Sequence, residues 1–150
     1  MSCAKNILVA TDFSDLSDHA TAYAIELARQ LGARVTFLHA FEIPGYSLLD
    51  ASLMATADVA ASISAAADGA MAALVAKQAA SGIPVDGLVR LGPPADEVRR
   101  VADEMKADLI VVGTHGRRGL ARAFLGSVAE VVVRTSKRPV VVVPDPSPES

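Results

Sequence analysis

The residue types that could do chemistry are concentrated in one glycine-rich, basic segment, from Gly113 to Ser127. Glycine lets main-chain N–H groups approach an anion without a Cβ in the way, and cationic side chains attract the same anion. The side chains that could do so are His115, Arg117, Arg118 and Arg122. This chemistry favours a bound phosphate. The alternative is that the glycines only make a tight turn and that the arginines only keep a loop solvated.

The far end of this segment, at Gly126 and Ser127, is predicted to open a helix, whose free N–H groups and positive dipole end suit a phosphate. Ser127 and Glu130 have the spacing of a capping box, which predicts a side-chain cap at this helix start. The segment is not a P-loop, because it lacks the Gly-x-x-x-x-Gly-Lys-Ser/Thr pattern. It is not a dinucleotide fingerprint either, because the first predicted strand leads into residues 11–14 without glycine.

Asp12 is a second candidate, because it lies just past the first predicted strand. A carboxylate at that place can accept hydrogen bonds from the hydroxyls of a ribose. The alternative is a turn or helix-capping role beside Ser14 and Ser17. His39 has no partner at ligand spacing, so we assign it no metal role. We find no catalytic constellation, since Gly-x-Ser-x-Gly and His-Glu-x-x-His are absent from the sequence.

The elements that must position these residues follow from hydrophobic periodicity, which predicts five strands and four helices in alternation. The strands are predicted at 6–10, 34–40, 85–91, 109–112 and 139–143. The helices are predicted at 17–31, along an apolar stripe from Val59 to Leu74, from 94 to about 105, and around 128–133. The strands are continuous apolar runs, which indicates a parallel sheet covered on both faces. Such sheets bind ligands at the carboxyl ends of their strands.

Composition limits the function classes. The chain has 150 residues, 51% of them hydrophobic, and a formal net charge of -3, which argues against nucleic-acid binding through bulk charge. The single cysteine, Cys3, excludes an internal disulfide and a cysteine-based zinc site. We expect no signal peptide and no membrane span. The expectation is one cytoplasmic domain over 1–150, ordered from about 4 to 144, with a tail at 145–150.

A glycine motif and four further segments together carry a resemblance to a known family. The spacing Gly113-x2-Gly116-x9-Gly126-Ser127 is similar to the glycine motif of the ATP-binding branch of the universal stress protein family. Residues 7–14, 38–40, 107–113 and 138–144 resemble the family's other segments, in the right order. The chain is therefore identified as a member of that branch over nearly its whole length.

The resemblance implies a Rossmann-like parallel sheet in the strand order 3-2-1-4-5, with an adenine nucleotide (ATP, or ADP or AMP) across the strand carboxyl ends. It places Asp12 on the ribose and the end of the glycine motif on the terminal phosphates, accompanied by Mg²⁺ or Mn²⁺. The nucleotide-binding residues that it implies are Ala10, Thr11, Asp12, Ala40, Val112, Gly113, Gly116, Arg117, Gly126, Ser127 and Val128. Ala10 departs from some relatives, which have proline there.

The resemblance also implies a homodimer through the strand at 139–143, since an apolar sheet edge tends to associate. We expect an ATP-binding stress protein that is not an enzyme, with no nucleic-acid or membrane partner. Two other functions stay open. One is a protein-interaction module that needs no nucleotide. The other is a slow ATPase or self-phosphorylating protein with Ser127 or Thr114 as acceptor, although the lysine and general base of fast phosphoryl transfer are missing.

Overall fold

The computed structural model describes residues 3–43, 53–114 and 125–145, without the side chains of 53–56. Its five strands are β1 (Asn6–Ala10), β2 (Arg34–Phe41), β3 (Val85–Leu91), β4 (Leu109–Gly113) and β5 (Val140–Val143). Its helices are α1 (Asp15–Leu31), α2 (Leu53–Ala79), α3 (Pro94–Glu104) and α4 (Ser127–Thr135). All strand pairs are parallel, in the order β3-β2-β1-β4-β5. The predicted fold class and strand order are confirmed.

Each face of the sheet has its own apolar core, because successive side chains of a strand point to opposite faces. On β1, Ile7 and Val9 pack into a cluster with residues of α1 and α2. Leu8, between them, packs into a second cluster with residues of α3 and α4. All three side chains have no exposed surface. Coverage on both faces explains why the strands are continuous apolar runs rather than alternating ones.

Local signals fix the ends of α1. Ser14 is its N-cap, and the Ser14 hydroxyl accepts a hydrogen bond from the Ser17 amide at 3.3 Å. Gly32 ends the helix in the left-handed conformation, with φ 64°, where glycine avoids the steric cost of a Cβ. The predicted C-terminal glycine is therefore confirmed, and the helix begins two residues before its predicted start.

Helix α2 differs from expectation in its first half. Ala67 and Met71 are buried, but Val59 and Ile63 of the predicted core stripe are 50% and 38% exposed. The reason is that the core contacts of α2 come from its second half, through Met71 and its neighbours. An 18-residue window within residues 57–79 has a mean hydropathy of 1.6, so α2 is long and apolar enough to cross a membrane by length and composition only, although the segment also contains Asp58, Asp68 and Lys77. Burial of Met71 in the core nevertheless makes α2 part of the folded domain.

Candidate functional site

The carboxyl ends of β1, β2 and β4 meet at one edge of the sheet, because all three strands run parallel. Residues 11–14 follow β1 at this edge, and the glycine-rich segment follows β4. The topology therefore brings the two sequence candidates, Asp12 and the ends of the glycine-rich segment, to the same side of the molecule.

The turn after β1 (residues 11–14, called the β1 turn below) is held by its own side chains. The Thr11 amide donates to the Leu38 carbonyl at 2.9 Å, which ties the start of the turn to β2. The Phe13 amide donates to Thr11 Oγ1 and the Ser14 amide to Asp12 Oδ1, both at 3.0 Å. The Ser14 hydroxyl also donates to Asp12 Oδ1. Asp12 thus has the turn role that was its alternative interpretation, with its carboxylate half-buried at the sheet edge.

Phe13 lies in the left-handed region, with φ 63°. This conformation costs a residue with a Cβ about 1–2 kcal/mol, so the surroundings must hold it. His39, on β2, contacts the turn twice: its Nδ1 lies 2.9 Å from the Thr11 carbonyl oxygen, and its ring centroid lies 4.5 Å from that of Phe13. The ring of Phe41 stacks on that of His39, with 5.9 Å between the ring centroids, so Phe13, His39 and Phe41 form an aromatic cluster beside the turn. Sequence reasoning missed the cluster, because no local pattern predicts it.

An apolar wall lies on the α3 and α4 face of the same edge. Val112 is buried in the second core cluster, and Ala10 and Val128 pack against that cluster. Ala40 stands two residues beyond Leu38, another member of the cluster, and so shares its face of β2. The structure therefore brings these four of the implied nucleotide-binding residues to one face, while Phe13 and His39 lie toward the other.

The two ends of the glycine-rich segment are pinned together. The Thr114 amide donates to the Val143 carbonyl at 3.0 Å, which continues the pairing of Gly113 with β5. The Gly126 amide donates to the Thr114 carbonyl, so the returning chain closes onto the end of β4. This closure fixes where α4 begins. Gly116 and Arg117, together with His115, Arg118 and Arg122, lie outside the described residues.

The predicted capping box at the start of α4 is wrong. Gly126, rather than Ser127, is the N-cap, and no side chain caps the helix. Glu130 instead pairs with Arg134, at 3.4 Å, because these exposed side chains lie one helical turn apart. Glycine has no oxygen to offer, so the first-turn amides, including those of Ser127 and Val128, lack a side-chain acceptor. An uncapped helix start of this kind can accept an anion.

The N–H of Gly126 itself is already used in the closure with Thr114. Its backbone, at φ -61° and ψ 157°, is open to any residue. Glycine is therefore not required at this place by the backbone conformation. What it provides is the absence of a side chain at a buried helix start.

Among residues 3–43, 53–114 and 125–145, no three His, Cys, Asp or Glu side chains come together as a metal site. The described residues next to the Gly126–Thr114 closure (113, 114 and 125–128) carry side-chain hydroxyls, at Thr114 and Ser127, and no carboxylate. Mg²⁺ is usually bound through carboxylates and substrate phosphates rather than by an all-protein cage. These residues therefore fit a cation that arrives with a phosphate chain, but not one that the protein holds alone.

A groove of about 470 Å³ lies elsewhere, between α2 and β3. Met71, Val75 and Val89 supply its apolar lining, and Asp68 and Asp86 its charge. Two carboxylates disfavour a phosphate, so this groove is not the anion site that the glycine-rich segment predicts.

Known proteins of one family are similar to this chain in sequence and in fold. The model of the universal stress protein family matches residues 4–144. A universal stress protein of Methanocaldococcus jannaschii is 34% identical over 147 residues, which are 97% of this chain and 85% of that protein. The structure of the universal stress protein UspA from Lactobacillus plantarum is similar with a TM-score of 0.84, at 26% identity over 95% of this chain and 99% of that chain. A universal stress protein solved in complex with cAMP has a TM-score of 0.68, at 29% identity over 96% and 99% of the two chains.

Proposed function

Because the chain belongs to the universal stress protein family, we propose that it binds an adenine nucleotide (ATP, or ADP or AMP) at the carboxyl edge of the sheet and acts in the cytoplasm as a nucleotide-responsive stress protein. The observation that carries the proposal is the uncapped start of α4, pinned to the end of β4 by the Gly126–Thr114 hydrogen bond. This arrangement presents backbone amides, without a competing side-chain acceptor, beside the β1 turn.

The parts of the nucleotide would be distributed along the edge. Adenine would lie against the wall of Ala10, Ala40 and Val112, and Asp12 would accept hydrogen bonds from the ribose hydroxyls. The phosphates would lie at Gly113, Gly116 and Arg117 and at the amides of Ser127 and Val128, with Mg²⁺ or Mn²⁺ held by their oxygens. The structural neighbour solved with cAMP supports the adenine nucleotide class.

The test is calorimetric titration of the protein with ATP and with AMP, in the wild type and in the variant Asp12→Asn. Asparagine keeps a carbonyl oxygen that can accept from the Ser14 amide, so the β1 turn is retained while the negative charge is removed. Losing a charged acceptor for the ribose should weaken binding about 10-fold to 100-fold. The midpoint denaturant concentration for unfolding of Asp12→Asn should equal that of the wild type.

Asp86→Asn is the matched control, because it neutralises an exposed carboxylate on β3 that pairs with Arg34 at 2.7 Å. Its nucleotide affinity should equal that of the wild type, because Asp86 is the second residue of β3 and so lies at the end of the parallel sheet opposite to the carboxyl edge. A wild-type protein that binds neither ATP nor AMP would contradict the proposal and favour a nucleotide-independent interaction module. Steady release of inorganic phosphate from ATP would instead favour the slow ATPase.

We also propose that the chain forms a homodimer through β5. The two edges of the sheet differ: β3 carries Asp86 and Arg90, whose side chains are in ion pairs, whereas β5 consists of four valines. Charges on an edge strand oppose strand pairing between molecules, and an apolar edge without them favours it. Hydrogen bonding of β5 to its copy would complete the sheet on that side.

A further inference from the structure

The aromatic cluster beside the β1 turn is not used by the proposed function, although it contacts the residues that the function needs. We propose that His39 is a positioning residue: its Nδ1–H, donated to the Thr11 carbonyl, holds the β1 turn with Phe13 in its left-handed conformation and so sets the position of the Asp12 carboxylate. The consequence for ribose binding rests on the proposed function, whereas the hold on the turn does not.

The direction of the hydrogen bond assigns the tautomer of His39. A carbonyl oxygen can only accept, so Nδ1, at 2.9 Å from the Thr11 carbonyl oxygen, carries the proton. The bond joins β2 to the turn from outside it, in addition to the bond from the Thr11 amide to Leu38. Both the N–H and the C=O of Thr11 are therefore fixed to β2, which orients the peptide plane that leads into Asp12.

The turn needs such a support because its middle is strained. Phe13 is one of two non-glycine residues with positive φ in the part of the chain that the structure describes, the other being Lys106. Strained residues persist where surrounding contacts over-determine them, and they cluster at functional sites. Phe13 follows Asp12 directly, so a relaxation of Phe13 toward negative φ would rotate the Asp12–Phe13 peptide and move the carboxylate from Ser14.

Ring contacts alone do not provide this support. The ring of His39 is tilted 40° to that of Phe13 and lies nearly parallel to that of Phe41, at 18°. Such contacts fill space around the imidazole, but a phenyl ring would fill the same space. The property that histidine adds at this position is the N–H donor, which can therefore be separated experimentally from the stacking.

Two substitutions make that separation. His39→Phe keeps an aromatic ring between Phe13 and Phe41 and removes the donor. His39→Asn removes the ring and keeps a donor, because its amide nitrogen is bonded to Cγ as Nδ1 is. The first readout is hydrogen exchange of backbone amides by NMR, in the nucleotide-free protein. The Phe13 and Ser14 amides report on the turn, and the Val35 amide, bonded to Pro84 at 2.9 Å, reports on the sheet.

We expect the Phe13 and Ser14 amides to exchange about tenfold faster in His39→Phe, relative to Val35, and at close to the wild-type rate in His39→Asn. Val101→Ala serves as the control for general loss of stability, because Val101 is buried in the second core cluster, whereas Phe13 packs against the first one, on the other face of the sheet. It should not change the ratio of turn to sheet exchange. Unchanged turn amides in His39→Phe, or equal acceleration in both His39 variants, would overturn the proposal.

The second readout is the ratio of the dissociation constants for ATP and 2′-deoxy-ATP. If His39 positions Asp12 on the ribose, the preference for ATP should fall in His39→Phe and be restored in His39→Asn. An unchanged preference in His39→Phe would overturn the effect on Asp12. Absence of binding of either nucleotide to the wild type would refute the proposed function, while the exchange rates would still decide whether His39 holds the turn.

Discussion

Two Gly→Ala substitutions, at Gly87 and Gly69, should change stability in opposite directions. Gly87 lies on β3 beneath α2, and a Cβ there would lie 2.5 Å from both Cγ and Sδ of Met71 and 2.8 Å from Cγ2 of Val75. Contacts this short force neighbours to move. Gly69 lies within α2, and a Cβ at that position would have nothing within 4 Å. The structure thus provides one crowded glycine and one open glycine in two elements that pack together.

The magnitudes follow from these surroundings. Overpacking a core by one methyl group costs about 1–3 kcal/mol, and Gly87→Ala belongs in that range because the Val75 methyl is held by its helix. Replacing glycine by alanine inside an exposed helix stabilises by about 0.5–1 kcal/mol, which is the expectation for Gly69→Ala. For a chain of this size, each kcal/mol corresponds to about 2–4 °C in Tm. The two variants should therefore lie on opposite sides of the wild type.

The assay is urea unfolding followed by circular dichroism, with calorimetry for Tm. Met71→Ala tests the cause of the effect, because it removes two of the three close atoms while losing about 2–5 kcal/mol of its own. In the Met71→Ala background, Gly87→Ala should cost less than in the wild type, with a coupling of at least about 0.5 kcal/mol. If Gly87→Ala were as stable as Gly69→Ala, the close packing of β3 under α2 would be refuted.

Two further predictions concern assembly and pH. The Ile110 amide donates to Pro139 and the Thr114 amide to Val143, so odd residues of β5 face β4 and the N–H of Val142 faces outward. Val142→Pro should therefore block edge pairing, so that light scattering shows a monomer. The control Val89→Pro, at a position on β3 whose N–H also faces outward, should remain a dimer. A dimeric Val142→Pro would contradict the proposed interface. Asp108 Oδ2 accepts hydrogen bonds from the amides of Lys5 and Asn6, each at 2.9 Å. These bonds, together with the charge of Arg138, lower the pKa of the Asp108 carboxyl below 3.8, although burial raises it to a smaller extent. The stability that the Asp108 carboxylate contributes is present above its unfolded-state pKa and is lost as pH falls through its folded-state pKa. The urea midpoints of the wild type and of Asp108→Asn should therefore converge below about pH 3.8 and differ above it.

Much of the fold follows from sequence because the signals are local. The predicted third strand has the bounds of β3, Val85–Leu91, since Pro84 and Gly92 flank it. Gly32 ends α1 as predicted, because few residues other than glycine adopt its φ. The strand order came from resemblance to a family, since no local pattern states which strands are neighbours.

The sequence-based predictions fail where contacts between distant parts of the chain determine the local structure. The stripe from Val59 to Leu74 has helical spacing throughout, but which part of a long helix meets the sheet depends on where the sheet ends. The capping box at Ser127 fails because the Gly126–Thr114 hydrogen bond sets the start of α4 one residue earlier than the pattern requires. The contact of His39 with Thr11 joins residues 28 apart, so no window of sequence contains it.

These errors bear directly on the proposed site. Had Ser127 capped α4, its hydroxyl would have satisfied a first-turn amide that a phosphate would otherwise bind. With glycine as the N-cap, the helix lacks a side-chain capping hydrogen bond, at a cost of roughly a few tenths of a kcal/mol, and a bound anion can occupy the same place. The β1 turn shows the same pattern, because Phe13 is strained and is held by contacts from β2. Both departures from local sequence rules lie at the carboxyl edge of the sheet, which is where the proposed nucleotide site lies and where such departures are expected of a functional site.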